Sequence, residues 1–368
     1  MILKTCSLLS LAAGAILLSA PIPTNQQIPE STNQQIPEST NQQIPKSTNQ
    51  QIPESTNQQI PESTISPTLH PQPEELGKVN WLRDLAAGKA EAEKSGKPIL
   101  ILFQEVPGCS NCTRYGNSTL SHPLIVEAIE TYFVPVCIYN NKGGTDAEAL
   151  KKFNEPAWNN PVVRIVRADY KDVVLRMPDF SSSYELINGM RRALDLTGAV
   201  APRYLELLEE ELGARESGLE TATFSMYCFW SGEGTFGEIA GVVETEPGFQ
   251  DGREVVKVQF NPAIVSKAEL EKKTQPKGIA SCSKNEGFRS DHEPKYYLAQ
   301  TDYKFVPMTT LQACRANSLA GKSQSPDALL SPRQLTLLKT IRDNPKRPWK
   351  NMIGRSDLAK AWAEMEVK

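Results

Sequence analysis

Lys97-Pro98-Ile99-Leu100-Ile101-Leu102-Phe103-Gln104-Glu105-Val106-Pro107-Gly108-Cys109-Ser110-Asn111-Cys112 decides the fold. Residues 98–103 form a continuous apolar run without alternation, the mark of a buried strand. Two cysteines follow, and their position predicts that they open a helix. A helix N-terminus offers unpaired N–H groups and a partial positive charge. Both favour the nucleophilic thiolate at the first cysteine. The second, one turn on, is placed to attack a mixed disulfide formed at the first. Half of a zinc ribbon has the same spacing. Here, however, no second pair exists, and none of the 3 histidines lies at ligand spacing from a cysteine. Cys109 and Cys112 are therefore read as a catalytic redox pair, with neither metal nor other cofactor.

Working outward, residues 78–95 read as an amphipathic helix ahead of the strand. Residues 125–133 read as helix, 134–139 as a second buried strand and 145–153 as helix. Residues 162–166 and 173–175 look like a hairpin, and 184–212 are helical. This order means an α/β fold, a mixed sheet with helices on both faces. Cys137, mid-strand in an apolar run, reads as a small buried hydrophobe. A weak boundary falls at 216–219. Beyond it come a strand at 222–227, a helix from about 231, and strands near 242–245 and 255–260. A helix from about 266 and helical stretches at 307–319 and 331–343 complete the pattern.

The N-terminus is of another kind. Lys4 and the apolar stretch at 8–20 read as an export signal, too short for the roughly 20 apolar residues that span a bilayer. Cleavage after Ala20 or near Ala13-Gly14-Ala15 would remove Cys6; an uncleaved anchor is the alternative. No cysteine follows the apolar run to suggest a lipoprotein. Asn-Gln-Gln-Ile-Pro then recurs at 25, 33, 41, 49 and 57. One isoleucine per repeat cannot offset the conformational entropy of folding, so 21–73 is expected to be a disordered tether. The whole chain carries 40 basic and 43 acidic residues. That balance leaves no electrostatic footprint for nucleic acid or an anionic membrane. Six cysteines beyond Cys6 are too few to staple a chain of 368 residues.

Residues 76–213 resemble the thioredoxin family. The resemblance is carried by Lys97-Pro98-Ile99-Leu100, the Cys109-Ser110-Asn111-Cys112 motif and Tyr132-Phe133-Val134-Pro135-Val136. Asn160-Pro161 ahead of Val162-Val163-Arg164-Ile165 resembles the family's cis-proline. The resemblance implies that Pro161 lies beside Cys109 and shapes the substrate groove. Gly108 replaces the usual tryptophan before the first cysteine, and Ser110-Asn111 replaces Gly-Pro.

A second motif lies downstream, Thr223-Phe224-Ser225-Met226-Tyr227-Cys228-Phe229-Trp230-Ser231-Gly232-Glu233. It puts a cysteine at a strand end, followed by two aromatics and a helix. This reads as a thiol at a helix start beside a hydrophobic wall; core packing by Phe229 and Trp230 is the alternative. Cys228-Phe229-Trp230 is similar to the signature of the A-type peptide methionine sulfoxide reductases. The similarity continues through Gly241-Val242-Val243, Gly252-Arg253-Glu254-Val255-Val256-Lys257-Val258 and Phe260-Asn261-Pro262-Ala263. It implies an α+β domain at 219–345 after the thioredoxin-like one, then a C-terminal tail at 346–368. It further implies that Cys228 attacks sulfoxide sulfur, that Phe229 and Trp230 cage the methyl group, and that Glu254 donates a proton to the departing oxygen. Phe288 and Ser283 stand where the family places a tyrosine and an aspartate. Cys282 or Cys314 is a possible resolving cysteine, or the two could pair with each other.

The combined expectation is an exported thiol-dependent reductase. It would act on methionine sulfoxide in oxidised proteins or peptides, with the thioredoxin-like module as in-chain donor and a separate thiol reductant upstream. The alternative is a thiol–disulfide oxidoreductase whose second domain has lost chemistry.

Overall fold

The computed structural model describes residues 72–177, 182–284, 286–355 and 357–366. The expected export segment with Cys6, and the repeat up to residue 71, lie outside the described residues.

The first region grows around the apolar run. Helix α1 (Leu85–Ser95) opens at Asp84, whose side chain accepts the Ala87 N–H, and closes at Gly96 in the left-handed conformation. Strand β1 (Ile99–Gln104) follows, every residue buried. Then come α2 (Ser110–Ser118), α3 (Pro123–Tyr132), β2 (Val134–Tyr139), α4 (Thr145–Phe153), β3 (Val162–Val166), α5 (Ser183–Leu196) and α6 (Arg203–Ser217). β1 lies between parallel β2 and antiparallel β3. Parallel neighbours need a crossover connection, and α2 and α3 supply it.

Three sequence expectations change here. The helix expected from 78 starts at Leu85, because Asp84 caps it and Leu82 is drawn into a bridge with Val136. The second hairpin strand at 173–175 does not form; Asp172 bridges Val166, and the Val173 and Met177 N–H groups reach the Ile165 and Val163 carbonyls. The long helix at 184–212 is two. The chain leaves α5 through Thr197 and Gly198, and Pro202 precedes α6.

The second region contains β4 (Glu220–Ser225), α7 (Phe229–Phe236), β5 (Val242–Gln250), β6 (Arg253–Phe260), α8 (Lys267–Thr274), β7 (Ala280–Ser281) and β8 (Arg289–Ser290). Helices α9 (Tyr296–Ala299), α10 (Thr310–Gly321), α11 (Pro332–Asp343) and α12 (Leu358–Glu366) follow. The strands form one antiparallel sheet in the order β7-β4-β6-β5-β8. β5 and β6 are joined by Asp251 and Gly252, at φ 50° and 73°. Positive φ at both positions matches the twist of a tight hairpin.

The two regions share α6. Its Leu205 and Leu208 enter the first core, while Leu207 packs with Leu311, Leu338 and Ile341. Glu211 accepts the Leu311 N–H at 2.9 Å, and Glu210 pairs with Arg315 at 2.8 Å. Residues 346–368, expected as a tail, contain α12, whose Leu358 and Trp362 complete the first core. Each such large apolar side chain would lose about 1.5–3 kcal/mol if exposed, so the junction is firm.

Candidate functional site

Both cysteines read as nucleophiles sit at helix starts. Cys109 caps α2 in extended conformation, and its Sγ accepts the Cys112 N–H at 3.2 Å. Gly108 makes this possible, because its φ of 134° lies where side chains are strained. Cys109 is partly exposed, whereas Cys112 is buried. The Cys112 thiol donates to Asn160 Oδ1 at 2.9 Å. Burial, then the contact with Cys109, pushes the Cys112 thiol far above its usual range. The pair is thus asymmetric, an accessible sulfur in front and a protonated one behind.

The Asn160–Pro161 bond is cis. Pro161 lines a cavity of about 240 Å³ with Asn111, Arg114 and Ser183. The preceding loop leaves Trp158 in solvent, 81% exposed. Cys137 is fully buried in β2, where burial pushes its thiol up.

Cys228 occupies the corresponding place at the start of α7, again extended and partly exposed. Here the next N–H, that of Phe229, is taken by Glu254 Oε2 at 2.8 Å. The backbone delivers Glu254 to this point, because Met226 N–H pairs with the Glu254 carbonyl across the sheet. Phe229 meets Trp230 and Phe249 edge to face, with ring centroids 5.6 and 5.4 Å apart. Tyr296 stacks on Trp230 at 3.9 Å with only 12° between planes. Tyr297 adjoins Tyr296 at 5.7 Å. Burial and then the neighbouring Cys228 push the Tyr297 phenol up.

A buried ion pair fixes this aromatic wall. Lys295, immediately before Tyr296, binds Glu233 of α7 at 3.0 Å. The Lys295 N–H also donates to Glu233, and Thr245 adds a hydroxyl at 3.2 Å. Burial opposes the ammonium charge, but Glu233, Cys314 and Glu244 together hold the Lys295 pKa above its ordinary value.

The other two candidate cysteines differ in setting. Cys282 follows β7, with its N–H on the Thr223 carbonyl; burial pushes its thiol up, and a hydrogen bond with Ser225 works against that. Cys314 is fully buried, with its carbonyl against Gly237 past the far end of α7. Neither is bonded to Cys228, whose thiol is free.

Sequence reasoning placed the Cys109 and Cys228 sites but missed Asn160, Phe249, Lys295, Tyr296 and Tyr297 as their neighbours. Phe288, expected near Cys228, packs instead on Gly248 of β5, with the Lys257 ammonium 4.4 Å from its ring centre.

The fold and the paired cysteine sites define an α/β protein with a thioredoxin-like region, and residues 80–168 match the thioredoxin-like family model. The chain is also similar to peptide methionine sulfoxide reductase MsrA 1 of Nostoc sp., at 31% identity over 80 residues, 17% of this chain and 49% of that protein. It is 40% identical over 68 residues to peptide methionine sulfoxide reductase MsrA of Methanococcus maripaludis, covering 14% of this chain and 43% of that protein. The chain thus spans about half or less of the length of these relatives. A thioredoxin from Thermus thermophilus matches at TM-score 0.29 and 18% identity, over 33% of this chain and 90% of that one. A thioredoxin-like segment and a stretch similar to methionine sulfoxide reductases are joined in one chain.

Proposed function

We propose that this protein is a thiol-dependent reductase of methionine sulfoxide in oxidised proteins or peptides, with Cys109 and Cys112 as its electron source. The observation that carries the reading is the Glu254 carboxyl on the N–H of Phe229, the residue after Cys228. In this reading Cys228 attacks the sulfoxide sulfur, and Glu254, when protonated, gives its proton to the oxygen. Oxide is a poor leaving group, so this general acid is essential. Phe229 and Trp230 hold the methyl group. Methionine leaves, and Cys228 is left as a sulfenic acid.

The wall formed by Trp230, Tyr296 and Tyr297 bears on the substituted Phe288 position. Tyr297, packed against Tyr296, adds a further aromatic ring to this wall.

The test is methionine released from N-acetylmethionine sulfoxide by the pre-reduced chain with excess reductant removed. Methionine is expected, and Cys228→Ser is expected to yield none. A wild-type chain that reduces disulfides yet yields no methionine would leave only the thiol–disulfide oxidoreductase reading, which the Cys109–Cys112 geometry supports independently. Lys4 and the apolar stretch at 8–20 support export. Recovery of the mature chain outside the cytoplasm, starting after the apolar stretch, would check this.

A further inference from the structure

We propose that the Cys109–Cys112 dithiol of one chain reduces Cys228 of a second copy, and not that of its own chain. The inference rests on the sulfoxide-reductase reading above. It comes from the length of the second sheet that lies between the two sites.

Glu220, Val242 and Phe260 pair at one end of the second sheet. That end meets α6. Gly241 N–H points at Glu210, and Asn261 and Ile264 line a cavity with Tyr184, Gly213 and Glu216. Cys228 belongs to the opposite end, where Glu254 pairs with Phe249 and reaches Phe229. From Phe260 to Glu254 the strand extends roughly 20 Å, at ~3.4 Å per residue.

Cys109 caps α2, whose Asn111 and Arg114 share a cavity with Pro161, Ser182 and Ser183 at the start of α5. Ser182 in turn bonds Glu216 near the end of α6. The way from Cys109 to Cys228 therefore passes the end of α6 and then runs the length of the sheet. Disulfide exchange needs sulfur on sulfur, a bond of about 2 Å. The junction is locked by buried Leu205, Leu207, Leu208 and Trp362, so the two sites of one chain stay apart.

A second copy can bring the required surface. Each site keeps one aromatic in solvent, Trp158 beside Pro161 and Tyr227 directly before Cys228, 81% and 98% exposed. Aromatic side chains are enriched where protein surfaces meet. The occupant is a second copy because each chain carries donor and acceptor in equal number, on faces that cannot meet within it.

The steps balance. The Cys228 thiol and the sulfoxide give methionine and a Cys228 sulfenic acid. The partner's Cys109 thiol then forms a Cys109–Cys228 disulfide and releases water. Cys112, as thiolate, attacks the Cys109 sulfur; the Cys228 thiol is restored, and Cys109 and Cys112 are left oxidised.

The test uses full-length chains, pre-reduced and freed of reductant, with N-acetylmethionine sulfoxide. Wild type should yield two methionines per chain, one from the dithiol and one stored as sulfenic acid. Cys109→Ser should yield one and Cys228→Ser none. An equimolar mixture of the two variants should yield two per pair, the second at a rate proportional to protein concentration. A mixture stopping at one per pair, with wild type reaching two at a concentration-independent rate, overturns the proposal in favour of transfer within the chain. Wild type stopping at one per chain overturns it too, since the dithiol then does not serve Cys228. No methionine from Cys109→Ser is a different failure, that of the sulfoxide reading itself.

Discussion

The starts of α2 and α7 pose one structural problem and solve it in two ways. Each follows a strand, and each is capped by a partly exposed cysteine in extended conformation. At α2 the free N–H belongs to Cys112 and points at the Cys109 sulfur. At α7 a different N–H, that of Phe229 directly after the cysteine, is taken by the Glu254 carboxyl. The first site places a second thiol one turn behind, held protonated by burial until it is needed. The second has an aromatic wall instead, and its cysteine is unbonded. The comparison teaches that a cysteine at a helix start is a nucleophile in waiting. What stands behind it, a thiol or an acid, separates disulfide exchange from attack on a substrate that needs a leaving group protonated.

The sharpest way to break the comparison is Glu254→Gln. It should slow release of the first methionine by roughly 10²–10⁴-fold, the usual share of a general acid. Disulfide reduction by Cys109 and Cys112 should be unchanged. If kinetics of the two activities fall together, Glu254 acts on the fold and not on the site.

A second variant separates the regions by stability. Lys295→Met leaves Glu233 buried without its partner, a loss on the order of 3–5 kcal/mol. Thermal melting should show the drop, and adding Glu233→Leu should recover most of it. No recovery would mean that the ion pair is not what the first substitution broke.

The first region has a pH signature of its own. His122, at the start of α3, has an enclosed Nδ1 without a hydrogen-bond partner among the described residues. Burial lowers its pKa to about 4. The unfolded chain, with a histidine near its ordinary 6.5, then binds the proton more readily than the folded one. Stability from this group is present above about pH 6.5 and is lost as pH falls toward 4, about 3 kcal/mol or slightly more in all. Denaturant titrations across that window should show the slope, and His122→Gln should flatten it. An equal slope in the variant would assign it elsewhere. The smallest effect is expected from Tyr296→Leu, which removes the stack on Trp230, worth about 0.5–1.5 kcal/mol. It should raise KM for the sulfoxide while leaving disulfide reduction alone; unchanged KM would take Tyr296 out of the wall.

What sequence could reveal depends on how local the cause is. The run at 99–104 and the strand at 134–139 were legible because an apolar stretch of that length has few other uses. The two cysteine positions were legible because a strand followed by a helix start is a local pattern. Tyr296 and Tyr297 were not, because contacts between residues far apart in sequence, the Glu233–Lys295 pair and the Trp230–Tyr296 stack, bring α9 against α7. Asn160 was quoted only as the neighbour of Pro161, yet its side-chain oxygen takes the Cys112 thiol. The role of 346–368 was hidden for the same reason. Leu358 and Trp362 look like isolated apolar residues until the first core receives them.

The central claim is that Cys228 attacks sulfoxide sulfur, and one measurement bears on it most directly. Reduced Cys109→Ser protein is incubated with one equivalent of N-acetylmethionine sulfoxide, trapped with a sulfenic-acid reagent and mapped by mass spectrometry. The account predicts the trap on the peptide carrying Cys228, in step with one methionine released per chain. Methionine without the trap on that peptide, or an unmodified Cys228 with no methionine, would contradict it.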